Sequence, residues 1–305
     1  MALLDGRVVL VTGGGRGLGR AHCLEIARHG GTVVINDVGA GVGGDGQDES
    51  PAEEVAQLIR DAGGQAMIDG TSVSDFAGVG ALIEKIVAEY GHLDAVVNNA
   101  GILRDRMLTS MTEEEFDAVI AVHLKGTWNV TRHACSYWRE ETKAGRKPAA
   151  RIVNTTSGAG LFGNIGQTNY APAKAGIAML TVCTAMEMSR NGVTANAISP
   201  IARTRMTAGL GNFGDDSIQG FDPWDPDNTS PVVAWLCSEE SGWMNGQVLR
   251  VDGDAVILVE GYTINDSPYY RGTPNQPVEA EKLDQGLRTA LGLYPGGIPS
   301  SPIHG

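Results

Sequence analysis

Short aliphatic and β-branched runs alternate with helical segments along this chain, and the alternation restricts the fold more than any other feature. Runs such as residues 7–12 are bounded by glycine, and capping-box sequences begin helices at Ser50 and Thr112. Strands that are separated by helices pair in parallel and are covered on both faces. The sequence therefore predicts an α/β fold in which a doubly wound parallel sheet lies between two layers of helices.

This pattern predicts one domain, residues 1–253, followed by a C-terminal extension, residues 254–305, that packs on the same domain. The extension is rich in glycine, proline and tyrosine, and it contains one helical stretch at residues 279–291. The predicted strands are residues 7–12, 32–37, 65–69, 93–97, 151–156, 192–198 and, as the last strand, 248–251. The predicted helices are residues 18–29, 76–90, 112–139 and 168–190, together with segments that begin at residues 50 and 230.

Charge and cysteine content exclude several classes of protein. A net charge of −13 makes general binding to nucleic acid unfavourable. No apolar run is long enough to cross a bilayer, and Asp5 and Arg7 interrupt the apolar stretch that a signal peptide would need. The four cysteines form no closely spaced pair. We therefore expect a cytoplasmic protein that holds no metal and binds neither nucleic acid nor a membrane.

A glycine-rich turn at residues 12–19, Thr-Gly-Gly-Gly-Arg-Gly-Leu-Gly, joins the first strand to the first helix. Glycine lets a pyrophosphate approach the backbone, and the helix N-terminus offers it free N–H groups. Asp37, at the end of the second strand, can accept both ribose hydroxyls of NAD and would repel the 2′-phosphate of NADP. Arg16 opposes this preference because it could pair with that phosphate. On balance, the sequence predicts a Rossmann-type sheet that binds NAD.

A second constellation combines a phenol, an ammonium group and a hydroxyl. Tyr170 and Lys174 are four residues apart on a predicted helix and therefore share one face. An ammonium group close to a phenol stabilises the phenolate and lowers the pKa of the phenol toward neutrality. Ser157, at the end of the fifth strand, could hold the same reacting oxygen by a hydrogen bond. The pattern predicts a site that exchanges a proton with a substrate alcohol or carbonyl near neutral pH.

Together with the segment Asn98-Asn99-Ala100-Gly101, these motifs resemble those of the short-chain dehydrogenase/reductase family over residues 5–253. The resemblance implies hydride transfer to or from a nicotinamide. It implies that Tyr170 is the general acid/base, that Lys174 bridges the nicotinamide ribose, and that Ser157 polarises the reacting oxygen. It also implies that the cofactor lies against Gly13, Arg16, Gly17, Leu18, Gly19, Asp37, Ser72, Val73, Asn99, Ala100, Gly101, Tyr170, Lys174 and Thr204.

Three positions depart from the usual pattern of that family. His123 stands where the family has an asparagine that helps to hold a proton-relay water, and an imidazole can also donate and accept hydrogen bonds. His123 is thus a candidate catalytic residue. The alternative is a buried, hydrogen-bonded histidine that takes no part in a relay. In addition, Ile201 replaces the usual glycine after Pro200, and Ser72 replaces an adenine-contacting aspartate.

Three segments resemble one subgroup of the family more closely. They are Asn36-Asp37 with its glycine-rich insert, residues 98–106, and residues 122–126. The subgroup is the (3R)-hydroxyacyl-CoA dehydrogenase domain of peroxisomal multifunctional enzyme type 2 and its bacterial relatives, whose members are also called 17β-hydroxysteroid dehydrogenases. The resemblance implies that NAD oxidises a (3R)-3-hydroxyacyl-CoA, with a fatty or a steroid side-chain acyl group, to the 3-oxoacyl-CoA.

The acidic chain needs local cations if it is to bind the phosphates of an acyl-CoA. Arg104, Arg106 and Arg203 follow the carboxyl ends of predicted strands, where ligands bind in such sheets. The alternative is that these arginines are solvated, or that Arg104 or Arg106 is paired with Asp105. Phe162 could line an apolar pocket for an acyl or steroid-like group.

Other functions and the assembly stay open at this point. A free 17β-hydroxysteroid dehydrogenase remains an alternative, as does a 3-oxoacyl-carrier-protein reductase, although Asp37 disfavours the NADPH that such a reductase normally uses. A catalytically silent NAD-binding regulator would not need the intact Ser157, Tyr170 and Lys174. The helix that follows Lys174 is apolar nearly all round and needs burial on several sides. We therefore expect a homodimer or homotetramer.

Overall fold

The computed structural model of this protein describes residues 2–46, 48, 50–204 and 220–261. The chain up to Val259 forms one compact unit, and Glu260 begins a second unit. Of that second unit only residues 260 and 261 are described. Most of the predicted C-terminal extension therefore lies outside the described residues, and its packing stays a prediction.

One eight-stranded sheet forms the centre of the first unit, with strand order β3-β2-β1-β4-β5-β6-β7-β8. Neighbouring strands from β3 through β7 pair in parallel, which confirms the predicted α/β class. The strands are β1 (Val8–Thr12), β2 (Thr32–Asn36), β3 (Ala66–Asp69), β4 (Ala95–Asn98), β5 (Ala150–Thr155), β6 (Val193–Ile201), β7 (Val248–Asp252) and β8 (Ala255–Val259).

The prediction that residues 248–251 form the last strand is wrong. β8 follows β7 at once and pairs with it in antiparallel. Gly253 and Asp254 form the two-residue connection, and Gly253 has a φ of 56°, which suits the tight turns that join such hairpins. The first unit thus extends past the predicted boundary at residue 253.

The helices lie between the strands as the alternation predicts. The predicted helix at residues 112–139 begins with the expected capping box of Thr112 and Glu115, but a π-helical turn, Ala121–Lys125, divides it into α4 and α5. The helices are α1 (Gly17–Arg28), α2 (Ser50–Asp61), α3 (Phe76–Tyr90), α4 (Glu113–Ile120), α5 (Gly126–Lys143), α6 (Gly158–Phe162), α7 (Tyr170–Met188) and α8 (Ser230–Leu236).

Both faces of the sheet are buried against helices. Along β1, Val9 and Val11 pack on the side that includes residues of α1, α2 and α8. Val8 and Leu10 pack on the opposite side with residues of α3 and α5. Successive side chains of a strand point to opposite faces, so a strand buried on both faces is apolar at every position. This accounts for the uninterrupted aliphatic runs in the sequence.

The strand order reverses direction between β1 and β4. In open α/β sheets, a crevice forms at such a point, beyond the carboxyl ends of the strands. A chain of buried hydrogen bonds lies close by: Asn98 Nδ2 donates to Asn154 Oδ1 over 2.8 Å, and Asn154 Nδ2 donates to Thr181 Oγ1 over 2.8 Å. These bonds connect β4, β5 and α7, and so fix the elements that carry the predicted site.

Within the described ranges, no helix combines the length and the apolar character that crossing a bilayer requires. The cytoplasmic location stays a prediction.

Acid should destabilise this fold through His22 of α1. The imidazole is fully buried, and its Nδ1 lies 2.9 Å from Ser230 Oγ of α8. Burial lowers the pKa of His22 from 6.5 to about 3, so between these values the unfolded chain binds a proton that the folded chain excludes. Stability is therefore complete above 6.5 and is lost as the pH falls toward 3.

Lowering the pH from about 7 to about 5 should cost about 2 kcal/mol of the free energy of unfolding through His22 alone. Urea unfolding at both pH values measures the loss. In His22→Asn, which keeps a polar group near Ser230 but cannot take up the proton, the loss should be smaller by that amount. An equal loss in both proteins would contradict the assignment.

Candidate active site

A cavity of about 260 Å³ lies at the carboxyl ends of the central strands. It is lined by every residue that we predicted to bind the cofactor, apart from the two on α7. Those lining residues are Gly13, Arg16, Gly17, Leu18, Gly19, Asp37, Ser72, Val73, Asn99, Ala100, Gly101 and Thr204. Their contact with a cofactor stays a prediction, but the structure brings them together around one space.

The glycine turn is packed too tightly to accept side chains. A Cβ on Gly19 would lie 1.8 Å from the carbonyl oxygen of Gly13, and a Cβ on Gly13 would lie 2.8 Å from the Cα of Ala100. The N-cap residue of α1, Arg16, makes no side-chain cap, so no side chain satisfies the first N–H groups of that helix there. A pyrophosphate at this helix end fits the cradle.

The loop after β4 forms the opposite side of the cradle. Thr12 Oγ1 accepts hydrogen bonds from the N–H groups of Asn99 (3.0 Å) and Ala100 (3.1 Å). Asn99 Nδ2 donates to the carbonyl oxygens of Thr12 and Gly13, each over 3.1 Å. Asn99 and Ala100 thus hold the glycine turn in place, in addition to lining the cavity.

Asp37 is oriented before any ligand reaches it. Its Oδ2 accepts a hydrogen bond from the N–H of Gly15 (2.8 Å), and its Oδ1 accepts one from the N–H of Gly39 (2.7 Å). Each carboxylate oxygen has a further lone pair with which it can accept a hydrogen bond from a hydroxyl group. The arrangement fits the ribose hydroxyls of a dinucleotide.

The glycine-rich insert after Asp37 supplies a wall that the sequence analysis did not assign. Val38, Ala40 and residues 41, 42 and 44 line the cavity. The insert is bound to the loop after β4, because Leu103 N–H donates to the Val42 carbonyl oxygen and Arg104 Nε donates to that of Gly43, each over 2.9 Å. Other lining residues that the analysis missed are Asn36, Thr71, Ile102 and Val122.

The predicted catalytic groups meet beside α7. Ser157 is the N-cap of α6, and its Oγ accepts a hydrogen bond from the Ala159 N–H (3.2 Å). Tyr170 is the first residue of α7, and Ser157 is near enough to act on the pKa of its hydroxyl. Lys174 lies one turn further along, and its Nζ is 5.6 Å from the centroid of the Tyr170 ring.

The pKa of Tyr170 is shifted in the direction opposite to our prediction. Burial raises it to about 12, although the hydrogen bond from Ser157 acts to lower it. Lys174 does not offset this effect, and its Nζ donates instead to the Thr155 carbonyl oxygen (2.7 Å). Burial also lowers the pKa of Lys174 itself to about 7.

His123 lies inside the π-helical turn and is fully buried. Its Nε2 lies 2.8 Å from the carbonyl oxygen and 3.1 Å from the nitrogen of Ile102, and the tautomer decides whether it donates to the first or accepts from the second; its Nδ1 has no partner among the described residues. Its ring meets that of Tyr170 edge-on, with 5.1 Å between centroids. Burial lowers the pKa of His123 to about 3, so the imidazole is neutral. A relay role for His123 stays a prediction, and Nδ1 is the atom left for it.

All three predicted phosphate-binding arginines are engaged with protein groups. Arg104 binds the insert and lies 3.4 Å from Asp45, Arg106 Nε pairs with Glu115 Oε1 (2.9 Å), and Arg203 pairs with Asp222. Asp105 is not their partner, because it accepts a hydrogen bond from Gln167 Nε2 (2.9 Å). Phe162 is exposed at the end of α6. Substrate contact by Arg104, Arg106, Arg203 and Phe162 stays a prediction.

Asn169 is a structural part of the site that the sequence analysis missed. It is fully buried, its Oδ1 accepts from the N–H of Tyr170 (2.7 Å), and its Nδ2 donates to the Arg104 carbonyl oxygen (2.8 Å). Asparagine directly before a helix is a common N-cap, and that signal could have identified it. Asn169 fixes the start of α7 against the loop after β4.

Known proteins resemble this chain over most of its length. A profile of the short chain dehydrogenase family matches residues 7–213. The chain is 46% identical over 259 residues to the hydroxyacyl-CoA dehydrogenase ChsB1 of Mycobacterium tuberculosis, and this alignment covers 84% of this chain and 80% of that protein. It is 43% identical over 275 residues to the peroxisomal multifunctional enzyme type 2 of Drosophila melanogaster, covering 84% of this chain and 44% of that protein.

The fold comparison agrees with the sequence comparisons. A crystal structure of a short chain dehydrogenase from Mycobacterium avium superposes with a TM-score of 0.84 at 45% sequence identity, covering 95% of this chain and 96% of that chain. The parallel sheet, the glycine turn and the cluster of Ser157, Tyr170 and Lys174 agree with membership of this family. The chain belongs to the short-chain dehydrogenase family and is an oxidoreductase.

Proposed function

We propose that this enzyme catalyses the NAD-dependent oxidation of a (3R)-3-hydroxyacyl-CoA to the 3-oxoacyl-CoA. The observation that carries the proposal is the cluster of Ser157, Tyr170 and Lys174 beside a cavity whose anionic side chain is Asp37. Relatives that bear the names hydroxyacyl-CoA dehydrogenase and peroxisomal multifunctional enzyme support the choice of an acyl-CoA.

Each catalytic group has one task in this reaction. The carbinol carbon of the substrate would lose its hydride to NAD, which would supply the hydride acceptor when bound. Ser157 donates a hydrogen bond to the substrate oxygen and keeps it beside the Tyr170 hydroxyl. Tyr170 takes the alcohol proton as the hydride leaves, so it is the general base in this direction. Lys174 would hold the nicotinamide ribose, and its bond to the Thr155 carbonyl oxygen fixes its direction.

Exposed apolar side chains on two joined segments suit an apolar substrate. Met107 and Leu108 lie after β4, while Phe162 ends α6 and Ile165 follows it. The two segments are joined because Arg106 N–H donates to the Gly166 carbonyl oxygen (2.8 Å). Exposed apolar side chains that lie close together next to a catalytic group commonly mark a ligand site. They support an acyl chain and would equally suit a steroid skeleton.

Two other oxidoreductase functions are the alternatives. A free 17β-hydroxysteroid dehydrogenase would use the same apolar surface and would need no phosphate contact. This alternative is favoured by the ion pairs that Arg104, Arg106 and Arg203 form with protein carboxylates. A 3-oxoacyl-carrier-protein reductase would normally use NADPH. The oriented carboxylate of Asp37 disfavours that cofactor because it would face the added phosphate.

NADH formation from (3R)-3-hydroxyacyl-CoA, but not from the (3S) isomer, is the expected outcome of an assay with both thioesters and a free 17β-hydroxysteroid. Tyr170→Phe should lower kcat by about a hundredfold or more, since it removes the general base. Tyr137→Phe, a matched change on α5 away from the cavity, should leave kcat unchanged. Turnover of the steroid and of neither thioester would replace the proposal by its first alternative.

The rate of oxidation should rise with pH up to the alkaline limit of the assay. The base form of Tyr170 is scarce at neutral pH because burial raises the pKa of the phenol to about 12. Ser157→Ala removes the hydrogen bond that acts to lower this pKa, so the profile of kcat against pH should shift further toward high pH. Ser157→Thr keeps the hydroxyl and should not shift it. A plateau near neutrality in the unmodified enzyme would contradict the raised pKa.

A groove between α5 and α7 supports the expected homodimer or homotetramer. Trp128, Leu180, Cys183 and Met188 line it, and Met186 on α7 is 76% exposed. The groove and the exposed Met186 on the same helix form a surface in which apolar side chains stand among charged ones, since Arg132, Arg139 and Glu187 also line the groove. A mixed surface of this kind on two long helices is suited to contact with a second copy.

Sedimentation velocity should show a dimer or tetramer for the unmodified chain. Met186→Glu places a charge on this surface and should shift the protein toward the monomer. Leu58→Glu, a matched change at an exposed residue of α2, should not. A monomeric unmodified chain would exclude the assembly.

A further inference from the structure

Arg16 is the one cationic side chain among the described residues that line the cavity, and Asp37 is the one anionic side chain there. A dinucleotide with a 2′-phosphate adds negative charge at the ribose end, next to Asp37. Whether such a cofactor is accepted therefore depends on where the guanidinium of Arg16 is directed.

Arg16 is bound to the glycine-rich insert and makes no ion pair with Asp37. Its Nη2 pairs with Asp48 Oδ2 at 3.0 Å, and its Nη1 donates to the Ala40 carbonyl oxygen at 3.4 Å. Asp37 uses its own two oxygens on the backbone N–H groups of Gly15 and Gly39. The charge of Arg16 is thus matched by Asp48, while that of Asp37 stays unmatched in the cavity.

The Asp48 carboxylate is held in place by the start of α2. Its Oδ1 accepts hydrogen bonds from the N–H (3.1 Å) and the hydroxyl of Ser50, which leaves Oδ2 to face Arg16. The same hydrogen bonds hold the pKa of Asp48 below its usual value, so the carboxylate is charged at neutral pH.

Close backbone packing brings Asp48 to this position. A Cβ on Gly39 would lie 2.0 Å from the carbonyl oxygen of Asp48, so the beginning and the end of the insert touch each other there. Gly39 also has a φ of 71°, which favours glycine. The insert therefore closes into a loop that presents Asp48 to Arg16.

We propose that Asp48 is a second determinant of cofactor choice, which acts by holding Arg16 away from the position that a 2′-phosphate would occupy. Asp48 is a positioning residue in this scheme, because it acts through Arg16. The inference rests on the proposed use of NAD and adds a residue that this use requires. Asp37 repels the 2′-phosphate. Asp48 binds the guanidinium group of Arg16, which could otherwise pair with that phosphate and compensate for the repulsion.

Loss of the Asp48 charge should therefore release Arg16 without unfolding the protein. The two side chains are 30% and 50% exposed, and ion pairs at that exposure contribute little to stability. In Asp48→Asn the amide oxygen can still accept from Ser50. The guanidinium, however, loses its charged partner and becomes available to a phosphate.

Calorimetric titration of the full chain with NAD and with NADP tests the inference without any catalytic turnover. In Asp48→Asn the affinity for NADP relative to NAD should increase by about tenfold, the effect of one charge-assisted hydrogen bond to a phosphate. In the double variant Arg16→Ala with Asp48→Asn this gain should be absent. Glu53→Gln, which removes a carboxylate paired with Arg60 on the same helix, should not change the ratio.

An unchanged ratio in Asp48→Asn would overturn the inference, as would a gain that persists without Arg16 or that Glu53→Gln reproduces. If the unmodified chain binds NADP as tightly as NAD, the proposed use of NAD fails and the inference falls with it. The oxidation of hydroxyacyl-CoA is measured separately, so a wrong role for Asp48 leaves the proposed reaction standing.

Discussion

The contact between the glycine turn and the loop after β4 is the constraint on which the rest of the site depends. Asn99 donates two hydrogen bonds to Thr12 across it, and Gly13 and Gly19 leave no room for a Cβ. Because β1 and β4 are neighbours in the sheet, this contact closes the crevice where the strand order reverses. The same loop continues to Arg104, whose carbonyl oxygen is bound by Asn169 at the start of α7. One continuous set of contacts therefore positions the cavity relative to Tyr170.

Burial, more than the neighbouring charge, governs the proton chemistry of this site. The phenol of Tyr170, the ammonium group of Lys174 and the imidazole of His123 all have pKa values shifted toward their neutral forms. Desolvation disfavours whichever form of a group carries charge. The ammonium group of Lys174 donates its hydrogen bond to the backbone carbonyl oxygen of Thr155. Ser157 is the side chain whose hydrogen bond opposes the shift at Tyr170. In the proposed reaction, placing the phenol beside the substrate oxygen is therefore more important than lowering the pKa of the phenol, which the sequence predicted.

In the proposed scheme, two carboxylates with different tasks determine which cofactor is bound. Asp37 faces the ribose end of the cavity, and Asp48 lies behind Arg16. Backbone N–H groups orient the first, and Ser50 orients the second. The insert that joins them is bound through Arg104, a residue that the sequence offered as a phosphate ligand of the substrate. A long insertion thereby becomes part of the cofactor wall.

The sequence by itself determined the parallel strands β1 to β7, the glycine turn and the grouping of Ser157, Tyr170 and Lys174, because aliphatic periodicity and short spacings along one chain fix local structure. It could not determine which carboxylate pairs with Arg16, Arg104 or Arg106, since those partners are distant in the chain and meet only after folding. The direction of the Tyr170 pKa shift was likewise decided by tertiary burial. The π-helical turn around His123 interrupts a helix that propensity alone would continue, so only the packed structure reveals it.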